Sequence, residues 1–136
     1  MPDPFKVPVP TEDEEQQTFI DWLDLVGLKY TAVPNNTYTP HMAQKMKNRR
    51  LGLRKGFPDM IVLVDRDKSK DGEGYFLAIE MKRTKDSTTS PEQHAWIDAI
   101  NALGSDNVVA YVCKGADAAI NTVTHYIHPA TNISPF

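Results

Sequence analysis

The stretch "GFPDMIVLV" (residues 56–64) decides the fold when set beside "YFLAIEMKRT" (75–84). Each is a run of strand-forming apolar residues that carries charge, with Asp59 ahead of the first run and Glu80 and Lys82 inside the second. The connection "RDKSKDGEG" (66–74) has the turn chemistry of Asp-Gly and Glu-Gly pairs, which predicts an antiparallel pairing of the two strands. Side chains two apart on a strand share a face. Glu80 and Lys82 therefore point one way and Met81 the other, and Asp59 converges on Glu80 from the neighbouring strand. Two close carboxylates raise each other's pKa unless a cation neutralises them. Hard oxygen ligands suit magnesium or manganese, which keep several waters and borrow oxygens from a phosphate. An amine beside such an ion suits phosphodiester hydrolysis, by orienting the attacking water or by stabilising developing negative charge. The plain alternative is an Asp59 that caps a strand and a half-solvated Glu80–Lys82 pair. The apolar "FLAI" ahead of Glu80 weighs against it, because a charge in a strand buried on both faces needs a reason.

Outward from this pair, "TEDEEQQTFIDWLDLVG" (11–27) has the pattern of a helix. Thr11 is its N-cap, acids follow in the first turn, and Gly27 terminates it. Phe19, Ile20, Leu23 and Val26 recur at helical spacing, and one turn earlier the same face carries Glu12, Glu15 and Gln16. "LKYTAV" (28–33) is a short strand ended by the turn "PNN" (34–36). Thr39 and Pro40 open a helix that runs to about Leu51. Ser90 caps a further helix with Pro91 at its first position and a stripe of Trp96, Ile97, Ile100 and Leu103. "NVVAYVCKG" (107–115) is the last core strand and "ADAAINTVTHYI" (116–127) a closing helix. The order predicts an α/β fold, a mixed β-sheet with helices on both faces, in which 75–113 forms a parallel crossover. Residues 1–10 form a proline-rich extended arm, 11–128 the folded domain and 129–136 an irregular tail.

The 136 residues suit one domain, and a net charge of −3 gives no overall basic signal. Nucleic-acid binding would need a local patch. Arg49, Arg50, Arg54 and Lys55, just ahead of Gly56 and joined by Lys45 and Lys47, form one; Arg83 and Lys85 extend it. The alternative is a solvated helix face. Gln93, at a helix N-terminus, is placed to hold a water or a phosphate, to close a capping box with Ser90, or both. Asn35 and Asn36 fit either substrate contact or turn chemistry. His41, His94, His125 and His128 have no paired metal spacing, and Trp22 and Trp96 fall on helical stripes and read as core. The single cysteine, Cys113, sits in an apolar run as a buried thiol and fits a reducing, cytoplasmic compartment. No apolar run approaches the ~20 residues of a membrane span.

"GFPD…YFLAIEMK" resembles the PD-(D/E)XK nuclease signature, in which Pro-Asp is followed by Glu-x-Lys on the next strand. With "EDEEQ" on the first helix, "PNN", "SPEQHAW" and "VVAYVCKG" in family order over 12 to about 127, the chain more narrowly resembles the VRR-NUC family, in particular its stand-alone bacteriophage-type members. The resemblance implies a restriction-endonuclease-like core and a divalent-metal-dependent nuclease. It implies Mg2+ or Mn2+ held by Asp59, Glu80 and the backbone carbonyl of Met81, with Lys82 as the catalytic lysine. Glu15 matches the acid of the first helix, chosen over Glu14 because it precedes Gln16 in the family's Glu-Gln order, and Gln93 matches the glutamine after the motif. Where the family often has a small apolar residue, this chain has Met81. Members of this size resemble Holliday junction resolvases, which makes branched DNA the expected substrate and a homodimer the expected assembly for two symmetric cuts. The alternatives are a non-catalytic DNA-binding module and a nuclease that works as a subunit of a packaging or repair machine.

Overall fold

The two charged apolar runs pair antiparallel, Met60 opposite Ile79 through Val64 opposite Tyr75. The computed structural model describes residues 7–34 and 40–129. In chain order they form α1 (Glu12–Val26), β1 (Lys29–Ala32), α2 (Met42–Arg50), β2 (Met60–Val64), β3 (Tyr75–Lys82), α3 (Pro91–Asn101), β4 (Val108–Lys114) and α4 (Ala116–Thr124). One sheet of four strands runs β1-β2-β3-β4. Its first two pairings are antiparallel and β3–β4 is parallel, so the α3 connection is the crossover that the sequence predicts.

Alternation along β3 divides the molecule. Leu77, Ile79 and Met81 enter the main core with Phe19 and Leu23 of α1 and Ala119 and Val123 of α4. Ala78, of opposite parity, joins Ile97 of α3 and Ala110 of β4 in a smaller cluster on the other face. Glu80 and Lys82 share the parity of Ala78 and so lie on the α3 side. Helices cover both faces, as expected from the element order.

Local chemistry fixes the ends of the two helices that matter most. Thr11 and Glu14 form a reciprocal capping box on α1, and Gly27 closes it in the left-handed conformation at φ 76°. Ser90 and Gln93 form the same box on α3, with Pro91 behind it. At the far end of α3 the Asn101 amide both donates to and accepts from the backbone of Ala110, closing part of the exposed edge of β4.

Three expectations shift. The second helix starts at Met42, behind His41 as N-cap, rather than at Pro40. It buries no residue, so no packing extends it backward. The stripe of α3 loses Leu103, 68% exposed, because the helix ends at Asn101. The closing helix stops at Thr124, although Ile127 beyond it is still buried in the core. Thr39, Asn35 and Asn36 lie outside the described residues, as do most of the arm and of the tail. Cys113 is buried, and burial pushes its thiol up.

Candidate active site

Asp59 precedes β2 by one residue and continues its register, which sets it opposite Glu80. Its Oδ2 accepts the backbone N–H of Met81 at 2.8 Å. The ladder between β2 and β3 has ended there, so a side chain takes the place of the missing strand partner. That bond fixes the Asp59 carboxylate at the open end of the sheet.

Glu80 is 1% exposed and Lys82 7%. Two charged groups this deep stay ionised only with close partners. Lys82 Nζ lies 3.6 Å from Glu80 Oε2 and donates to Gln93 Oε1 at 2.8 Å. Gln93 Nε2 in turn donates to Glu80 Oε2 at 3.0 Å. The orientation of this amide is dictated by the capping box. Its Oε1 also accepts the N–H of Ser90 at 2.9 Å, which leaves only the NH2 end for the carboxylate. The cap of α3 thus doubles as the clamp that orders Glu80 and Lys82.

One oxygen is left over. Glu80 Oε1 is buried and has no hydrogen-bond partner. Carboxylate oxygens of Glu12, Asp59 and Glu80 lie within 4.8 Å of one another, the one such cluster of potential ligands among the described residues. Burial first, and then the charge of Asp59, push the Glu80 carboxyl up to about 8, against the pull of Lys82. Burial and Asp59 also raise Glu12. A set of hard oxygens crowded this way, with one oxygen unsatisfied, fits a hard divalent cation. These residues line a hollow of about 240 Å3, with Gly56, Ser90 and Gln93 on its wall.

Gly56 shapes that hollow. It has φ 93°, and a Cβ there would sit 2.7 Å from the carbonyl carbon of Glu92. Only glycine permits the loop before Asp59 to press this closely on the first turn of α3. Trp96 fastens the same loop by donating to the carbonyl of Lys55 at 3.2 Å and meeting the Phe57 ring edge-on at 5.1 Å.

The acid that α1 brings to Asp59 and Glu80 is Glu12, not Glu15. Glu15 reaches instead across the fold to the backbone N–H of Ala116 at 3.3 Å, where it compensates the positive end of α4. Glu14 is engaged by Thr11 in the capping box. Glu12 shares a helix face with Glu15, so the spacing held the signal; which turn of α1 overhangs the sheet is a tertiary fact.

The basic residues divide. Lys55 lines the hollow and pairs with Glu92 at 3.4 Å. Arg49 and Arg54 line the neighbouring cleft, and Arg54 donates to the carbonyls of Arg49 and Leu53. Arg50 lies beside Met46 and Leu51 in a separate hollow. Arg83 is half-buried, with its Nε unpartnered.

Residues 10–117 match the VRR-NUC domain, which reaches from Pro10, just ahead of the Thr11 cap of α1, into the first turn of α4. The chain belongs to the VRR-NUC family. A solved structure described as a VRR_NUC domain protein superposes with a TM-score of 0.60 at 26% identity, over 96% of this chain and 100% of its own. No curated protein matches the chain. Membership of the VRR-NUC family points to nuclease activity, and the mixed sheet with its four helices is the nuclease-domain fold that the signature residues imply. No helix among the described residues is long and apolar enough to cross a membrane.

Proposed function

We propose that the protein is a divalent-metal-dependent endodeoxyribonuclease, acting by preference on branched DNA such as Holliday junctions. The observation that carries this reading is the unpartnered Glu80 Oε1 in a cluster with Asp59 and Glu12, beside the buried Lys82 ammonium.

In this reading Asp59, Glu80 and Glu12 would hold Mg2+ or Mn2+, and Met81 would add its backbone carbonyl. A strand residue presents its N–H and C=O along the same edge, and the Met81 N–H already meets Asp59. When bound, the ion supplies Lewis-acid polarisation of the scissile phosphate and a lowered pKa for an attacking water. Asp59 is fixed for ligation by its bond to the β3 backbone. Lys82 is held by Gln93 at the edge of the cluster, where its ammonium orients the water and offsets negative charge developing on phosphate oxygens. Gln93 prevents Lys82 from collapsing fully onto Glu80, because its carbonyl competes for the ammonium. Glu15 lies outside the cluster and compensates the N-terminus of α4. Arg49, Arg50, Arg54, Lys55 and Arg83 position the phosphates that flank the cut. Paired cuts across a symmetric junction favour a homodimer.

The test is incubation of the purified protein with a four-way junction, a flap and a linear duplex in Mg2+ or Mn2+, with Lys82→Ala alongside. Cleavage of the junction ahead of the linear duplex, lost in the variant, is expected. Absence of cleavage on every DNA, or a variant as active as the parent, overturns the enzyme reading. Equal cleavage of junction and linear duplex overturns the branched preference alone.

A further inference from the structure

A second hollow adjoins the candidate metal site. It measures about 510 Å3, within the range that holds small organic ligands. Lys55 and Glu92 line both hollows and form the saddle between them. The wall of this cleft is one face of α3, with Glu92, Ala95, Trp96 and Ala99 at helical spacing. The opposite rim carries Arg49 and Arg54.

Its chemistry is specific. Ala95 and Ala99 are exposed and small, which keeps the cleft open where longer side chains would close it. Trp96 is held rigidly by Lys55 and Phe57, so an aromatic surface is available without loss of side-chain entropy. Arg54 is tied back by two backbone carbonyls, which fixes its position on the rim. The one acid in the cleft, Glu92, is already engaged by Lys55. An apolar, aromatic-walled slot with a cationic rim complements a planar heterocycle attached to a phosphate.

Resting on the nuclease reading above, we propose that this cleft takes an unpaired nucleobase of the strand being cut, next to the scissile phosphate. A base within a duplex is paired and stacked on both faces, and must be unpaired and unstacked at a cost in free energy before it can enter. A base at a flap, a mismatch or a branch point is free to do so, and its phosphate then lies against Arg49 or Arg54 while the neighbouring phosphate reaches the acidic cluster. The cleft therefore favours DNA with an unpaired nucleotide at the cut, as at a flap, a mismatch or a branch point where pairing has opened.

The test uses three duplexes of equal length. One is fully paired, one carries a single unpaired 2-aminopurine beside the cut, and one carries an abasic residue there. Binding is measured in Ca2+ and cleavage in Mg2+ or Mn2+, for the parent, Ala95→Leu and Ala99→Phe. Both substituted side chains are exposed, and cleavage of the fully paired duplex monitors folding. The parent is expected to prefer the unpaired base over the abasic residue by roughly tenfold, the value of one stacked base, and to quench 2-aminopurine on binding. The variants are expected to lose preference and quenching while cutting paired DNA as the parent does. Equal binding of base and abasic DNA by the parent, or preference retained in both variants, overturns the proposal while leaving the nuclease reading intact. A change in the variants' oligomeric mass without a change in base preference assigns the cleft to a protein interface and also overturns it. No cleavage of any DNA by the parent removes the nuclease reading, and the proposal with it.

Discussion

Gln93 donates from its side-chain amide to Glu80 across 3.0 Å, joining the first turn of α3 to a buried carboxylate of β3. Because the other end of the same amide is committed to Ser90 and Lys82, the bond has one available polarity. Gln93→Glu puts an acceptor where a donor is required and adds a negative charge beside Glu80. We expect it to reduce cleavage by about 10²-fold or more, the usual cost of losing a placed polar group in a site. Gln93→Ala is expected to lose activity as well, with a melting temperature lower by the few degrees that follow from about 1 kcal/mol of lost capping. Rates and melting curves of the two variants check both expectations.

Lys82→Met keeps the stem and removes the ammonium. Cleavage is expected to fall about 10²- to 10⁴-fold, while DNA affinity measured in Ca2+ stays close to that of the parent. A fall in affinity matching the fall in rate would place Lys82 in binding rather than in chemistry.

Substitutions at Glu12 and Glu15 are expected to separate ligation from support. Glu12→Gln is expected to weaken Mn2+ binding by about 10- to 100-fold. Glu15→Gln removes a charge from the N-terminus of α4, costs roughly 0.3–1 kcal/mol of stability, and leaves Mn2+ affinity nearly unchanged. Calorimetric titration with Mn2+ and thermal melts give opposite rank orders if the assignment holds.

The buried Glu80 carboxyl makes stability pH-dependent in metal-free protein. Its folded value, about 8, stands above the ordinary 4.5, so the folded state binds the proton more tightly than the unfolded chain does. The stabilisation is complete below the ordinary value and is lost as pH rises through about 8, with a slope of at most about 1.4 kcal/mol per pH unit. Urea unfolding in EDTA across that window is expected to show the loss, and Glu80→Gln to flatten it. Bound Mn2+ favours the charged carboxylate, so its affinity is expected to rise with pH over the same interval and its binding to release protons.

Arg49 and Arg50 sit on a helix that buries nothing. Replacing both with Ala is expected to leave the melting temperature within a degree or two and to weaken DNA binding. The slope of log affinity against log salt is expected to become shallower by about 0.9 for each phosphate that the variant no longer neutralises. An unchanged slope would remove them from the interface.

The sheet and the shared face of Glu80 and Lys82 were legible because period-two alternation and turn chemistry are local. Glu80 and Lys82 share a face whatever surrounds them, and the polar turn fixes Asp59 on the adjacent strand. The capping box at Ser90 and Gln93 was readable for the same reason. Its second use, bridging Glu80 and Lys82, was not, because it depends on α3 packing on the face those residues occupy. Glu12 was hidden among acids in the first turns of α1. Choosing among them requires knowing how far that helix overhangs the end of β3. Trp96 lies on an apolar stripe and reads as core; its place beside a cleft comes from the Gly56 loop closing on α3.

The most direct test of the central claim is anomalous diffraction from crystals soaked in Mn2+. A peak at about 2.0–2.2 Å from carboxylate oxygens of Asp59 and Glu80, with Glu12 at the cluster's edge and Lys82 alongside, is the expected result. A peak elsewhere, or an acidic cluster without manganese at concentrations that support cleavage, would contradict it.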